Sequence, residues 1–187
     1  MESGKIIILT APSGSGKTTL ARFLLQTFDQ LLFSVSATTR PARAGETNGK
    51  DYYFMDKDQF LTNVSNHAFF EYQEVYTDLY YGTLKSEMSR IWSLSKIPLL
   101  DIDVKGAYNI ESYNNYETLS IFVKASSIEV LKNRLVSRGT DSIESIEKRL
   151  QKANSELDYA RHFDYVITND KLELAQQLLK QIVSDFI

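Results

Sequence analysis

Apolar residues along the chain follow two spacings that alternate from one end to the other. Four short runs are mainly apolar, at residues 5–10, 97–104, 119–125 and 163–170. The first of them is continuous and β-branched, which is typical of a strand buried on both faces. Much of the sequence between the runs has apolar residues at helical spacing. Because strands that alternate with amphipathic helices form parallel sheets covered by helices, the pattern predicts an α/β fold with a parallel sheet flanked by helices.

The stretch at residues 33–83 departs from this alternation. Its segments DYYFMD, AFFEYQEV and DLYYGT alternate around the turn sequence AGETNGKD, which is typical of half-exposed antiparallel strands. A second irregular stretch follows Arg138 and restarts as an amphipathic helix, which indicates a small helical excursion. We therefore predict a single domain with three parts: a core at about 1–35, 84–137 and 151–187, a β-rich insertion at about 36–83 and a small helical excursion at about 138–150.

The composition narrows the possible classes of protein. The 187 residues suffice for one compact domain, and a net charge of -3 gives no general reason to expect a nucleic acid or a membrane as a partner. The chain has no cysteine, which excludes disulfide scaffolds, thiolate metal sites and cysteine nucleophiles. The apolar run near the start is too short for a signal peptide or a membrane span. We therefore expect a cytoplasmic protein.

A glycine-rich loop connects the first apolar run to the first amphipathic helix. Its sequence, APSGSGKTT, matches a phosphate-binding loop, with Ala11 in place of the usual first glycine. Gly14 and Gly16 allow backbone N–H groups to point at phosphate oxygens. Lys17 can bridge the terminal phosphates of a nucleotide, and the Thr18 hydroxyl can bind Mg²⁺. The alternative is a plain Ser/Gly turn, which the flanking strand and helix disfavour. The residues of this loop predicted to bind a nucleotide are Ala11, Pro12, Ser13, Gly14, Ser15, Gly16, Lys17, Thr18 and Thr19. The loop alone leaves a motor, a switch, a transporter ATPase and a small-molecule kinase open.

From about residue 5 to 185 the chain resembles the guanylate kinase family. The resemblance rests on ordered segments: APSGSGKTT, FSVSATTRPARAGETNGKDYYF, FFEY, YYGT, LLDIDVKGA, RLVSRGTDSIESIEKRL and VITND. It implies transfer of the γ-phosphoryl group of ATP to GMP, and also to dGMP, with Mg²⁺ as the cofactor. It also implies a parallel-sheet core, a GMP-binding subdomain and a mobile lid, the same three parts that the pattern predicts.

Two arginines in the stretch TTRPARAGE resemble the family's clamp for the phosphate of GMP. Forked guanidinium donors suit phosphate oxygens, so Arg40 and Arg43 are predicted to bind this phosphate, together with the hydroxyls of Tyr52 and Tyr81. The alternative for arginines on a loop is solvated surface charge. The family usually reads Thr-Arg-Thr-Pro-Arg-Ala-Gly-Glu, whereas this chain has its proline one place earlier, at Pro41. That proline biases Arg40 toward an extended conformation and alters the reach of Arg43.

A guanine base presents donors at N1 and N2, so the group that reads this edge should only accept hydrogen bonds. Glu71 and Asp103 are carboxylates on strand-like segments and resemble the guanine readers of the family. Ser36 and Thr83 are predicted to donate their hydroxyls to O6. An adenine edge would leave such buried acceptors unpaired. The alternatives are an outward-facing strand residue for Glu71 and a helix-capping aspartate for Asp103.

The segment LLDIDV carries a second carboxylate, Asp101, two positions before Asp103 and therefore on the same side of a strand. If this strand lies beside the strand that precedes the phosphate loop, Asp101 can help Thr18 to hold Mg²⁺ through water.

Three arginines resemble the lid arginines that converge on the transferred phosphoryl group in the family. Arg134 and Arg138 share a helical face, and Arg149 follows the break at Gly139. With Lys17 they are the predicted catalytic residues, because charge neutralisation is most of what a protein adds to this reaction. The alternative is solvated arginines on amphipathic helices. Asn169 resembles a contact to the adenine edge of ATP.

Two alternative functions stay open at this point. The first is a guanylate-kinase-like interaction module that binds phosphorylated peptides, although such modules typically have degraded phosphate loops. The second is another P-loop kinase with a different nucleotide acceptor. The sequence leaves the monomer and the homo-oligomer equally open, and it assigns no functional role to His67 and His162.

Overall fold

The computed structural model describes residues 4–111, 116–137, 139 and 142–187. Its larger sheet has five strands that all run parallel, in the spatial order β2-β7-β1-β8-β9. The α/β fold with a parallel sheet flanked by helices is thereby confirmed. The strands are β1 (Lys5–Thr10), β2 (Leu31–Phe33), β7 (Ile97–Ile102), β8 (Glu117–Lys124) and β9 (Tyr165–Thr168).

A second, four-stranded sheet lies between β2 and β7 in the sequence. Its strands, in the order β4-β3-β6-β5, are β3 (Ala37–Thr38), β4 (Tyr53–Phe54), β5 (Phe69–Tyr76) and β6 (Leu79–Leu84). The antiparallel pairing predicted here is confirmed for β5 with β6 and for β3 with β6. It is wrong for β4, which runs parallel to β3, because the long connection between the two strands returns the chain to the same end.

Helix α2 (Lys57–Ser65) interrupts the predicted run of strands. Asp56 accepts a hydrogen bond from the backbone N–H of Gln59, and the Gln59 side chain accepts one from the backbone N–H of Asp56. This capping box is a strong local signal for a helix start. Phe60 anchors the helix, since its ring is fully buried and stacks on Phe69 of β5. An aromatic-rich stretch therefore contains a helix that its turn signals and aromatic residues obscured.

Helices cover both faces of the five-stranded sheet. Alternate residues of β1 point to opposite faces: Ile7 and Leu9 join one buried apolar cluster, and Ile6 and Ile8 join another. None of the helices within the described ranges is long and apolar enough to cross a membrane. The helices are α1 (Lys17–Thr27), α3 (Lys85–Ser93), α4 (Val104–Glu111), α5 (Ile128–Ser137), α6 (Ile143–Leu157), the 3₁₀ turn Asp158–His162, and α7 (Leu172–Phe186).

The pairing of β1 with β7 brings two loops together at one edge of the sheet. Thr10, the last residue of β1, is in register with Ile102, the last residue of β7, and its hydroxyl donates a 3.0 Å hydrogen bond to the Ile102 carbonyl. Because parallel strands end at the same edge, the glycine-rich loop after β1 lies beside the segment that carries Asp101 and Asp103.

A buried glutamate joins the two sheets. Glu87 of α3 is 2% exposed and accepts hydrogen bonds from the backbone N–H of Val35 at 2.9 Å and the hydroxyl of Tyr53 at 3.0 Å. Arg90 donates two more from Nε and Nη2, each 2.8 Å long. Burial opposes ionisation of Glu87, but the donors from Arg90, Val35 and Tyr53 outweigh it and lower the pKa of this carboxyl. Glu87 therefore ties the connection between β2 and β3, and strand β4, to helix α3.

Replacing this carboxylate should destabilise the protein. We expect Glu87→Ala to lower the free energy of unfolding by about 2–3 kcal/mol, because the Val35 N–H and the Tyr53 hydroxyl lose their acceptor. Urea unfolding followed by circular dichroism measures the change. The exposed Glu147→Ala on α6 is the control, with an expected change within about 0.5 kcal/mol. Equal effects of the two substitutions would contradict the joining role of Glu87.

Candidate functional site

The loop between β1 and α1 has the geometry of a phosphate cradle. Gly14 and Gly16 both have a φ of 90°, a conformation that side-chain-bearing residues rarely adopt. A Cβ on Gly16 would clash with Nδ2 of Asn169. Residues 11–19 line a cavity of about 280 Å³, so all the predicted ATP-binding residues of this loop border one space. The N-terminus of α1 begins at Lys17, which adds the positive end of a helix dipole to the cavity.

Lys17 lies at the junction of the loop and β7. Its ammonium group forms an ion pair with Asp101 and donates a 2.7 Å hydrogen bond to the Ile102 carbonyl. Thr18 is exposed next to it. Thr18 follows Lys17 in the chain and Asp101 pairs with Lys17, so both predicted metal-binding residues lie next to this lysine.

A second cavity, of about 340 Å³, adjoins the first. Lys17, Thr18 and Asp103 line both cavities, so the two spaces meet at the end of the phosphate loop. The second cavity contains five of the predicted GMP-binding residues, together with lining residues that the sequence did not single out, including Phe33, Asp51, Gln73 and Val75. The five predicted residues are Ser36, Tyr52, Glu71, Tyr81 and Asp103.

Glu71 is the most perturbed carboxyl group of this cavity. It is 7% exposed and accepts a 2.8 Å hydrogen bond from the hydroxyl of Thr83, which is itself fully buried. Burial raises the pKa of Glu71 to about 7, and the nearby charge of Asp103 contributes to the rise, while the hydrogen bond from Thr83 opposes the shift. The Thr83 hydroxyl is thus directed at Glu71 in this structure.

Asp103 uses its two oxygens differently. Oδ1 accepts a 2.9 Å hydrogen bond from the backbone N–H of Gly106, so this residue caps helix α4. Oδ2 is buried and accepts no hydrogen bond from the described residues. The capping alternative is therefore correct for one oxygen, and the other keeps its acceptor capacity. Gly106 makes room for the arrangement, since a Cβ there would lie 2.9 Å from both Asp103 Oδ1 and Glu71 Oε2.

The two predicted clamp arginines lie at different places. The side chain of Arg40 is 13% exposed and lies over the rings of Tyr52 and Phe54, with 5.3 and 5.7 Å from its Cζ to the ring centroids. Its Nη2 pairs with Glu46 Oε1 at 2.7 Å, and this hydrogen bond is the main reason that the pKa of Arg40 is raised. Arg43 is exposed, and only its backbone N–H joins the group, by donating to Glu46 Oε2 at 2.7 Å. Arg40 therefore lies behind a cavity-lining tyrosine, whereas the Arg43 side chain is on the outer surface.

The predicted lid arginines do not share one cavity. Arg149 lines the phosphate-loop cavity, whereas Arg134 borders a separate space together with Gly14, Gly16 and Thr19. Arg134 Nη2 is held there by a 2.7 Å hydrogen bond to the backbone carbonyl of Asn169. Arg138 lies outside the described residues.

Asn169 contacts the phosphate loop through its side chain. Its buried side chain donates a 2.8 Å hydrogen bond from Nδ2 to the carbonyl of Ser15, and its backbone N–H donates to the carbonyl of Lys124. The amide group is therefore directed at the loop in this structure, and its contact with adenine stays a prediction.

The sequence pattern did not single out two charged residues of the phosphate-loop cavity. Lys152 and Glu156 of α6 line it opposite the loop, four positions apart. The helical periodicity of α6 identified the apolar stripe that includes Ala153 and Leu157 and left out the polar positions beside it. A lysine and a glutamate that flank such a stripe at a spacing of four were the available signal.

The strand, the glycine-rich cradle, the helix N-terminus and the lysine at its start define a P-loop nucleotide-binding protein of the α/β class. The guanylate kinase family model matches residues 3–186. A guanylate kinase from Bacteroides fragilis is 43% identical over 98% of this chain and 90% of its own length, and one from Porphyromonas gingivalis is 44% identical over 98% of both. The crystal structure of guanylate kinase from Anaplasma phagocytophilum superposes with a TM-score of 0.77 at 32% identity, covering 99% of this chain and 87% of that one. This chain belongs to the guanylate kinase family.

The buried Glu71 should make stability depend on pH. Its pKa is raised from 4.5 in the unfolded chain to about 7, so the folded protein keeps a proton that the unfolded chain releases between these values. The free energy of unfolding of the protein should therefore fall relative to Glu71→Gln as the pH rises from 4.5 to 7, by about 3 kcal/mol in total.

Urea unfolding of both proteins between about pH 4 and pH 8 measures this difference. Below about pH 4.5 the two curves should run parallel, since the carboxyl is then protonated in both states. Curves that stay parallel through about pH 7 would show that Glu71 is ionised at its ordinary pKa.

Proposed function

We propose that this protein transfers the γ-phosphoryl group of ATP to GMP and releases ADP and GDP. The observation that carries the proposal is the junction of two cavities at Lys17, Thr18 and Asp103. One cavity is walled by a phosphate cradle, and the other contains two carboxylates suited to a guanine edge. A nucleoside triphosphate in the first and a nucleoside monophosphate in the second would meet with their phosphates at Lys17.

The phosphate loop binds the donor. Its backbone N–H groups and the α1 N-terminus hold the ATP phosphates, and Lys17 neutralises the charge that develops on the transferred group. In this structure the Lys17 ammonium pairs with Asp101 and donates a hydrogen bond to the Ile102 carbonyl. Phosphate oxygens are stronger competitors for the same donors, so we expect Lys17 to turn toward ATP when it binds.

The carboxylates of the second cavity select guanine. Asp103 Oδ2 has acceptor capacity for a donor of the guanine edge, and Glu71 accepts from N1 and N2 when it is ionised. The Ser36 hydroxyl, which lines the cavity, is assigned to the O6 oxygen. The Thr83 hydroxyl donates to Glu71 in this structure and would have to turn to reach O6. An adenine in the same place would leave buried acceptors unpaired, which is the strongest basis for discrimination between bases.

The phosphate of GMP is assigned to Arg40, Arg43, Tyr52 and Tyr81. Arg40 is the better supported of the arginines, because it packs against Tyr52 at the wall of the cavity. Glu46 now accepts from both the Arg40 side chain and the Arg43 backbone. A dianionic phosphate would compete with Glu46 for the Arg40 guanidinium, and Arg43 would have to turn inward from its exposed position.

The residues at the junction fit Mg²⁺. Asp101 offers a carboxylate and Thr18 a hydroxyl beside the cradle, and within the described ranges no three His or acidic side chains form a metal-binding group. Mg²⁺ is usually held by one or two such oxygens together with substrate phosphates and water, as this pair allows. Bound there, the ion would neutralise phosphate charge as the phosphoryl group moves.

Arg149 lines the phosphate-loop cavity and adds positive charge near the transfer path, and Arg134 and Arg138 complete the proposed catalytic set. We assign GMP binding to residues 36–83 and the lid to residues 138–150. Closure of these parts over the core would exclude water, which otherwise accepts the phosphoryl group. A cytoplasmic location and the use of dGMP stay predictions.

A coupled assay for ADP tests the function. With ATP, GMP and Mg²⁺ the protein should form ADP well above an ATP-only control, and Lys17→Met should lower kcat at least about 10²-fold, because it removes a positive charge from the transition state. Lys148→Met, an exposed lysine of α6, is the matched control. Binding of GMP without ADP formation would instead favour the interaction-module alternative.

The choice of base has a separate test. Glu71→Gln should lower kcat/KM for GMP, because the amide replaces an acceptor with a donor. The ratio of kcat/KM for GMP to kcat/KM for AMP should fall by about 10²-fold. Glu74→Gln, on the exposed part of the same strand, is the control. An unchanged ratio in the Glu71 variant would remove this residue from guanine recognition.

A further inference from the structure

Helix α6 places a lysine between two carboxylates at the junction of the cavities. Lys152 Nζ lies 3.8 Å from Asp103 Oδ2 and 3.5 Å from Glu156 Oε1. The Glu156 side chain is 6% exposed, and those of Asp103 and Lys152 are 23% and 28% exposed. The three residues line the phosphate-loop cavity together, and Asp103 also lines the second cavity.

The charges of this group act on one another. Burial raises the pKa of Glu156, the Asp103 carboxylate adds to the shift, and the ammonium groups of Lys152 and Lys17 oppose it. Without Lys152, two partly desolvated carboxylates would face each other. The cost of an uncompensated buried charge would then push Asp103, the more exposed of the two, away from Glu156.

The distance from Lys152 to Asp103 has a consequence for the acceptor. A separation of 3.8 Å is too long for a hydrogen bond, and Oδ2 indeed accepts none from the described residues. Lys152 therefore attracts the carboxylate by charge without using its lone pairs. The Gly106 N–H fixes Oδ1 from one side, and Lys152 attracts Oδ2 from the other.

We propose that Lys152 is a positioning residue for guanine recognition: it holds the Asp103 carboxylate in place and offsets Glu156, while it leaves Asp103 Oδ2 available to the base. The inference rests on the proposed function and deepens it. Because α6 continues the segment assigned to the lid, Lys152 also connects that segment to the guanine end of the site.

The first test separates the two substrates. Lys152→Met should raise KM for GMP about tenfold, because removing one partner of a half-buried ion pair costs more than in an exposed pair and less than in a buried one. KM for ATP and kcat should change by less than about twofold. Lys152→Arg should restore most of the affinity, because it restores the charge. Lys148→Met, from the exposed pair with Glu144 on the same helix, should change neither constant. An unchanged KM for GMP in Lys152→Met overturns the proposal.

A second substitution tests the mechanism of positioning. In the Lys152→Met background, Glu156→Gln should recover at least about threefold in KM for GMP, because it removes the repulsion that Lys152 offsets. If Lys152 bound the ATP phosphates directly, Lys152→Met would raise KM for ATP instead, and adding Glu156→Gln would not recover KM for GMP. That result would overturn the proposal. A merely structural role would lower the thermal midpoint in both variants without a split between the two substrates, and that result would overturn the proposal as well.

Calorimetric titration with GMP measures the affinity without turnover. GMP binding that is about tenfold weaker in Lys152→Met than in the unsubstituted protein supports the inference. It does so even if no ADP is formed, and in that case only the phosphoryl-transfer proposal fails. Equal GMP binding by the two proteins, alongside normal kinase activity of the unsubstituted one, overturns the inference and leaves the proposed function intact.

Discussion

The parallel pairing of β1 with β7 is the constraint on which the rest of the structure depends. It sets Thr10 opposite Ile102 and so places the glycine-rich loop beside Asp101 and Asp103 at one edge of the sheet. The loop supplies backbone donors and the neighbouring strand supplies carboxylates, and neither segment holds both. Lys17 connects the two, since it pairs with Asp101 and donates to Ile102. A different neighbour for β1 would leave the phosphate cradle without these two carboxylates beside it.

Two buried glutamates show how this protein treats charge in different places. Glu87 receives four hydrogen bonds where the sheets join, and these lower its pKa in spite of burial. Glu71 accepts one side-chain hydrogen bond from Thr83 and lies near Asp103, and its pKa rises to about 7. The difference follows from the number of donors, since each donor compensates for lost water. A satisfied carboxylate stabilises the joint between the sheets, whereas an incompletely satisfied one is suited to receive donors from a ligand.

Cations around the two cavities are paired with carboxylates of the protein itself. Lys17 pairs with Asp101, Arg40 with Glu46, and Lys152 lies between Asp103 and Glu156. These pairs keep the positive groups close to the cavities and lower the cost of bringing them together without a ligand. Phosphates that enter would compete for the cations of the first two pairs. In the third group, Lys152 lies between two carboxylates and forms no hydrogen bond with Asp103 Oδ2.

The sequence by itself determined four of the five strands of the parallel sheet, the glycine-rich loop, the family and most residues that line the two cavities, because strand burial, turn chemistry and a contiguous motif are expressed in local spacing. The short strand β2 was not predicted. The sequence did not determine helix α2, the parallel direction of β4 or the position of Lys152 at the cavity. It also could not show that one oxygen of Asp103 caps a helix while the other keeps its acceptor capacity. Only the tertiary structure decided that Arg40 packs on Tyr52 while Arg43 faces outward, and that Glu71 and Asp103 meet across Gly106. The physical reason is that burial, charge compensation and close approach depend on residues far apart in the chain, which no local pattern encodes.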